Sequence, residues 1–150
     1  MTEVLFYQLQ RQPIEKVLPV LLEKSLERGW RAAVQASSEE RIEALDALLW
    51  TYRDDSFLPH GTYKENSAAD QPILLTVNGD NPNRAAVRFL IDGSPMPADA
   101  AAYDRVVLLF DGEDPDALED ARRRWRDAKG LGLEVTYWQA DERGRWQRKA

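Results

Sequence analysis

Short runs of branched and aromatic apolar residues recur along this chain, separated by stretches with helical spacing or by turn residues. That alternation restricts the fold more than any other feature. Residues 4–9, 30–36, 72–77, 87–92, 105–111 and 133–138 read as strands, because each run is brief and rich in the side chains that buried strands favour. Between them, Ile14, Val17, Leu18, Leu21, Leu22 and Leu26 recur on one helical face, with Pro13 suited to the first turn and Gly29 to the stop. Pro19 lacks an N–H, which predicts a kink there or a helix whose regular part begins near it. Ser37 and Glu40 form a capping-box pattern ahead of Ile42, Leu45, Leu48 and Leu49. Asp114 and Pro115 open a third helix, which ends at Gly130 or Gly132 after Lys129. Residues 52–71 read as one long loop, residues 100–103 as a short helical turn, and the chain after residue 138 as a polar, basic tail carrying Trp146. Strands alternating with helices predict an α/β fold whose mostly parallel or mixed sheet has helices on both faces and right-handed crossovers.

The 150 residues fit a single domain, 1–150. Cysteine is absent, so no disulfide framework forms, and Glu3 stands where a secretory leader needs basic charge. The cytoplasm is the expected compartment, and no apolar run is long enough to predict a membrane span. Net charge is −6, from 26 acids against 20 bases, which disfavours nucleic-acid binding by the surface as a whole. The bases are nevertheless concentrated: Arg122, Arg123, Arg124, Arg126, Lys129, Arg143, Arg145, Arg148 and Lys149 gather in the last part of the chain. This end is suited to an anionic partner. A direct contact with single-stranded DNA through the basic end and Trp146 is a further reading, weakened by the overall charge.

The inventory for catalysis is thin. His60 is the one histidine, and no phosphate-cradling or nucleophile-elbow motif occurs, so no catalytic residue, cofactor or resident metal is expected. His60 reads as a loop residue bonding a turn. Asp92 and Asp111, in FLIDG and LLFDG, are the best catalytic candidates, placed where α/β sheets hold carboxylates that bind magnesium for phosphoryl transfer. Glu113 and Asp114 lie close by in sequence. Asp-Gly after an apolar strand is equally a turn signal, and turn propensity favours that reading.

Binding has more to work with. Ala117, Leu118, Ala121, Trp125 and Ala128 make an apolar stripe on the third helix, flanked by Arg122 and Lys129. An indole beside two cations suits a ligand that joins an aromatic side chain to a carboxylate. The competing reading puts Trp125 in the core and the arginines on a solvated face. Trp50, Tyr52, Phe57 and Tyr63, around Leu58 and Pro59, form a second aromatic set that serves either as interface anchors or as a plug on the core.

These same segments carry a resemblance. The opening VLFYQL, then ALLWTYRDDSFLPHG, QPILLT, VRFLIDG, RVVLLFDG, ARRRWRDAKGLGLEVTYWQ and the closing GRWQRK are similar, in order and spacing, to the chi subunit family of DNA polymerase III. The most specific block joins Leu49 and Trp50 to Ser56, Phe57, Pro59 and His60. The resemblance implies a Rossmann-like fold without a nucleotide site, in a non-enzymatic adaptor of the replication machinery. Its partners would be single-stranded DNA-binding protein, gripped by its acidic C-terminal tail, and the psi subunit of the clamp loader. Contact with DNA would be mainly indirect. For the tail, the matching positions are Arg122 and Trp125 with Phe110; for psi they are Trp50 and Phe57 with Pro59. Leu118 stands where members of the family carry a lysine, so Arg123, Arg126 or Lys129 is expected to supply that charge.

Overall fold

The computed structural model describes residues 2–10, 12–52 and 58–150. Among these residues eight strands form one mixed sheet: β1 (Glu3–Leu9), β2 (Ala32–Gln35), β3 (Gly61–Thr62), β4 (Ile73–Thr76), β5 (Val87–Leu90), β6 (Arg105–Asp111), β7 (Glu134–Ala140) and β8 (Trp146–Arg148). Their spatial order is β3-β4-β2-β5-β6-β1-β7-β8, and every neighbouring pair is parallel except β7 with β8. Three helices accompany the sheet: α1 (Ile14–Glu27), α2 (Glu39–Trp50) and α3 (Pro115–Gly130).

Alternation along the long central strands sorts the core into two layers. Leu5 and Leu9 of β1 and Val107 and Leu109 of β6 meet Leu18 and Leu22 of α1 and Leu45 and Leu49 of α2. Val4 and Phe6, with Val106 and Leu108, turn the other way and meet Ala121 and Trp125 of α3. Helices therefore cover both faces, as the alternation predicts. Each fully buried leucine contributes about 1.5–3 kcal/mol relative to an exposed one.

On the second face, the half of the sheet away from α3 is filled by a buried cation. Arg88 of β5 is 0% exposed. Its Nε and Nη2 donate to Gln35 Oε1 at 3.1 and 2.8 Å, and its Nη1 donates to the Asp80 carbonyl at 2.9 Å and to the Tyr103 hydroxyl at 3.2 Å. The Asn78 carbonyl accepts from Nη2 as well.

Several boundaries differ from the sequence expectation, each for a local reason. α1 runs unbroken from Ile14 through Pro19, so its regular part does not wait for the proline; Pro13 caps it, and its carbonyl accepts from the amides of Lys16 and Val17. The cap of α2 is Ser38, not Ser37, and its hydroxyl accepts from the Arg41 amide at 3.2 Å. The expected six-residue strand at 87–92 stops at Leu90. Asp92 and Gly93 then take left-handed φ values of 54° and 75° in a tight turn closed by the Ser94 amide on the Ile91 carbonyl. The 52–71 segment is not one loop: within its described part it holds the edge strand β3 and a single 3₁₀ turn at Ala68–Asp70. The basic tail also folds, because Asp141 organises a turn that brings β8 back antiparallel to β7.

Candidate partner-binding site

The site begins with the reason α3 forms where it does. Asp114 accepts from the Asp116 amide at 3.0 Å, Pro115 occupies the first turn, and Lys129 sits in the last turn, where positive charge offsets the helix dipole. Ala121 and Ala128 are buried, and their small side chains let the helix lie close to β1, β6 and β7. Trp125 projects from the same face and is half-buried.

Around that indole the sheet supplies an aromatic floor. Trp125 stands edge-on to Phe6, with ring centres 5.7 Å apart, and to Tyr137 at 5.8 Å; Phe110 meets Tyr137 edge-on at 6.0 Å. The register explains this grouping, because Gln8 is paired with Phe110 on one side and Phe6 with Tyr137 on the other. Tyr137 donates its hydroxyl hydrogen to Gln8 Oε1. Burial pushes the Tyr137 hydroxyl pKa up, and the nearby Arg122 guanidinium partly opposes that shift.

Cations rim the floor. The Lys129 ammonium lies 4.9 Å from the centre of the Trp125 ring, and Arg122 and Arg126 are exposed one helical turn apart. Among the described residues no carboxylate pairs with Arg122, Arg126 or Lys129. Arg123 and Arg124 differ: both pair with Asp120, and Arg124 also donates to the carbonyls of Gly93 and Ser94, tying α3 to the turn after β5. Arg123, one of the residues expected to supply charge in place of the lysine at position 118, is thus engaged by Asp120. Trp125 is neither sealed in the core nor fully exposed. Tyr137 was missed from the sequence, although the alternation Val135, Tyr137 against Thr136, Trp138 marks which face it takes.

The carboxylates singled out for metal chemistry lie around a different feature. β1 and β6 are neighbours whose following helices take opposite faces, and such a switch in direction opens a crevice at the strand ends. A cleft of about 740 Å³ occupies it, lined in part by Leu9, Gln12, Arg41, Asp92, Asp111 and Asp116. Asp92 is paired with Arg41 at 3.0 Å and sits in the tight turn, while Asp111 Oδ1 accepts from the Glu113 amide at 2.9 Å. Both therefore serve local turns. Among the described residues no group of three or more His, Asp or Glu side chains is placed to hold a metal.

The second aromatic set is partly visible. Trp50, at the end of α2, is 57% exposed and stands edge-on to His60 at 5.1 Å. The His60 ring is buried, with Nδ1 2.7 Å from the Leu58 carbonyl and Nε2 2.8 Å from Asp46 Oδ1, so it pins the 58–60 strand of chain to α2. Pro59 is half-buried beside it. Phe57 and Ser56 lie outside the described residues, while Tyr63 folds toward α2 and donates to Glu39 at 2.7 Å.

Residues 1–136 match the family described as DNA polymerase III chi subunit, HolC. The chain is 30% identical over 121 residues to a probable DNA polymerase III subunit chi of Rickettsia prowazekii, covering 74% of this chain and 71% of that protein. It is 27% identical over 129 residues to DNA polymerase III subunit chi of Pseudomonas aeruginosa, covering 84% and 88%. No helix among the described residues is long and apolar enough to cross a membrane. With the match spanning both faces of the sheet and all three helices, the chain belongs to the DNA polymerase III chi subunit family.

Proposed function

We propose that this chain is a non-catalytic accessory subunit that joins the acidic C-terminal tail of single-stranded DNA-binding protein to the clamp loader through the psi subunit. The observation that carries the first contact is the half-buried Trp125 with Lys129 over its ring and Arg122 and Arg126 paired with no carboxylate among the described residues. An acidic peptide ending in an aromatic residue complements it: the ring adds to the Phe110, Trp125 and Tyr137 floor, and the carboxylates meet the exposed cations. The psi contact rests on exposed Trp50, braced by His60, with Pro59 beside it and Phe57 in the adjoining segment. Family membership supports both assignments.

The test is calorimetric titration with a synthetic tail peptide across a salt series. Saturable binding that weakens as salt rises is expected. Reversing both exposed charges, Arg122→Glu with Arg126→Glu, should weaken it by at least about tenfold, the equivalent of 1.4 kcal/mol. These positions are exposed, so the variant keeps the fold. Absence of saturable heat at low salt, or equal affinity in the double variant, refutes the tail assignment. For psi, co-purification lost in Trp50→Ala is expected, and retention at parental yield refutes that half.

A further inference from the structure

A second set of cations and aromatic rings lies on the opposite face of the sheet from Trp125. Between the end of α1 and the β7–β8 hairpin is a cavity of about 320 Å³. Its floor is apolar, formed by Val87, Phe89 and Val107. One wall is aromatic: the Tyr7 and Trp146 ring centres are 4.6 Å apart, and Tyr7 and Trp138 are 6.3 Å apart. The other wall carries Lys24, Arg28 and Arg105.

The register continues this pattern past the cavity. Tyr7 is paired with Trp138, and Trp138 with Arg148, so all three side chains take one face of the sheet. Arg148 therefore places one further cation on this face, its Nε donating to the Ala150 carbonyl at 3.0 Å. Trp138, Trp146 and Arg148 all lie beyond residue 136, where the family match ends. The outer wall of this cavity is thus built by a part of the chain that the family pattern does not cover.

Two of these cations share one aromatic partner outside the cavity. Arg28 and Arg105 both lie over the Trp30 ring, at 4.7 and 5.2 Å from its centre, so two like charges share one indole. Glu3 pairs with Arg105 at 3.3 Å, but among the described residues no carboxylate pairs with Arg28 or Lys24. The Arg105 Nε is buried and has no hydrogen-bond acceptor. In a chain of net charge −6, an unneutralised group of this kind is out of keeping with the rest of the surface. An incoming anion would pair with the Lys24 and Arg28 charges.

From this geometry we infer that the cavity takes a nucleotide, its base against the Tyr7, Trp138 and Trp146 rings and its phosphate among Lys24, Arg28 and Arg105. The volume falls at the lower end of small-ligand pockets, enough for one base and sugar. A nucleotide is favoured over an acidic peptide because the wall of rings offers faces to a planar base and Arg148 adds a further cation on the same face of the sheet. The occupant is a free nucleotide or one unit of a single strand, and the recognition chemistry is shared.

The experiment uses the full chain and fluorescence anisotropy at low salt. The probes are a labelled oligothymidylate of about 12 nucleotides, with unlabelled thymidine monophosphate, inorganic phosphate and an acidic peptide ending in phenylalanine as competitors. The oligonucleotide is expected to bind, and Lys24→Glu with Arg28→Glu to weaken it by about tenfold or more. Both positions are exposed at the end of α1, so the fold is retained. Trp146→Leu should weaken binding, and Lys24→Glu with Arg28→Glu should weaken it more than the equal charge change Arg122→Glu with Arg126→Glu, which separates this cavity from the α3 site. Competition by the monophosphate identifies the site as one for nucleotides in general, and its failure to compete assigns the site to a nucleotide within a strand. No binding at low salt, parental binding in the Lys24/Arg28 variant, or displacement by inorganic phosphate or the peptide as strong as by nucleotide overturns the inference.

Discussion

Replacing Arg88 by methionine tests whether a buried guanidinium bonded only to neutral groups stabilises this fold. The side chain is fully buried, and its acceptors are Gln35 Oε1, the carbonyls of Asn78 and Asp80, and the Tyr103 hydroxyl. Methionine removes the charge together with its desolvation cost, but it leaves Gln35 and two carbonyls facing an apolar chain. Each deserted buried acceptor costs about 1–3 kcal/mol. Asn78 and Asp80 are themselves exposed, so water can reach their carbonyls after modest relaxation and the low end applies. A loss of about 3 kcal/mol follows, which at about 2–4 °C per kcal/mol for a chain of this size lowers Tm by about 6–12 °C. Thermal and urea unfolding followed by circular dichroism would measure it. Gln35→Leu attacks the same bonds from the other end, so the double variant should cost clearly less than the two single losses combined. An Arg88→Met protein as stable as the parent, or more so, would refute the reasoning, because the desolvation cost of the guanidinium would then equal or exceed its bonds.

Asp141 gives the β7–β8 turn an acid sensitivity. Hydrogen bonds from the backbone amides of Arg145 and Arg143 hold its carboxyl below the ordinary carboxylate range, so its contribution is fully present above the unfolded value of about 4 and lost as pH falls through the lower folded value. Protection of the Lys149 amide, whose N–H bonds the Tyr137 carbonyl, taken relative to its intrinsic exchange rate at each pH, should therefore fall in acid in the parent and much less so in Asp141→Asn; identical protection profiles would refute the assignment. Magnesium should leave Tm unchanged at matched ionic strength, since Asp92 is engaged by Arg41 and Asp111 by the Glu113 amide. A rise that disappears in Asp111→Asn would restore the phosphoryl-transfer reading.

The α/β class and the strand–helix order were legible because they rest on local patterns: the 2.0 and 3.6 periods of the apolar residues and the Asp114–Pro115 start of α3. What escaped depended on distant partners. Nothing near Ser37 and Ser38 decides between them until Arg41 presents its amide, and β3 is two residues long and exists only because β4 lies alongside. β8 required the Asp141 turn to be recognised as a hairpin in a stretch that is otherwise polar. The same holds for the two aromatic sites. The helix periodicity placed Trp125 among cations, but Phe6 and Tyr137 join it only through strand register, and the cations over Trp30 come from positions 28 and 105. Arg88 could not be foreseen as interior from a run reading VRFLID.

The lateral borders of the sheet are closed by its shortest members, two residues in β3 on one side and three in β8 on the other. Exposed lengths of unpaired backbone are templates for unwanted strand addition between molecules, and short, basic borders suppress it. Deleting residues 141–150 would strip β8 away and leave seven residues of β7, with Tyr137 and Trp138 among them, as a bare margin. A protein trimmed there should aggregate at concentrations where the parent stays dispersed, because β8 screens the β7 margin.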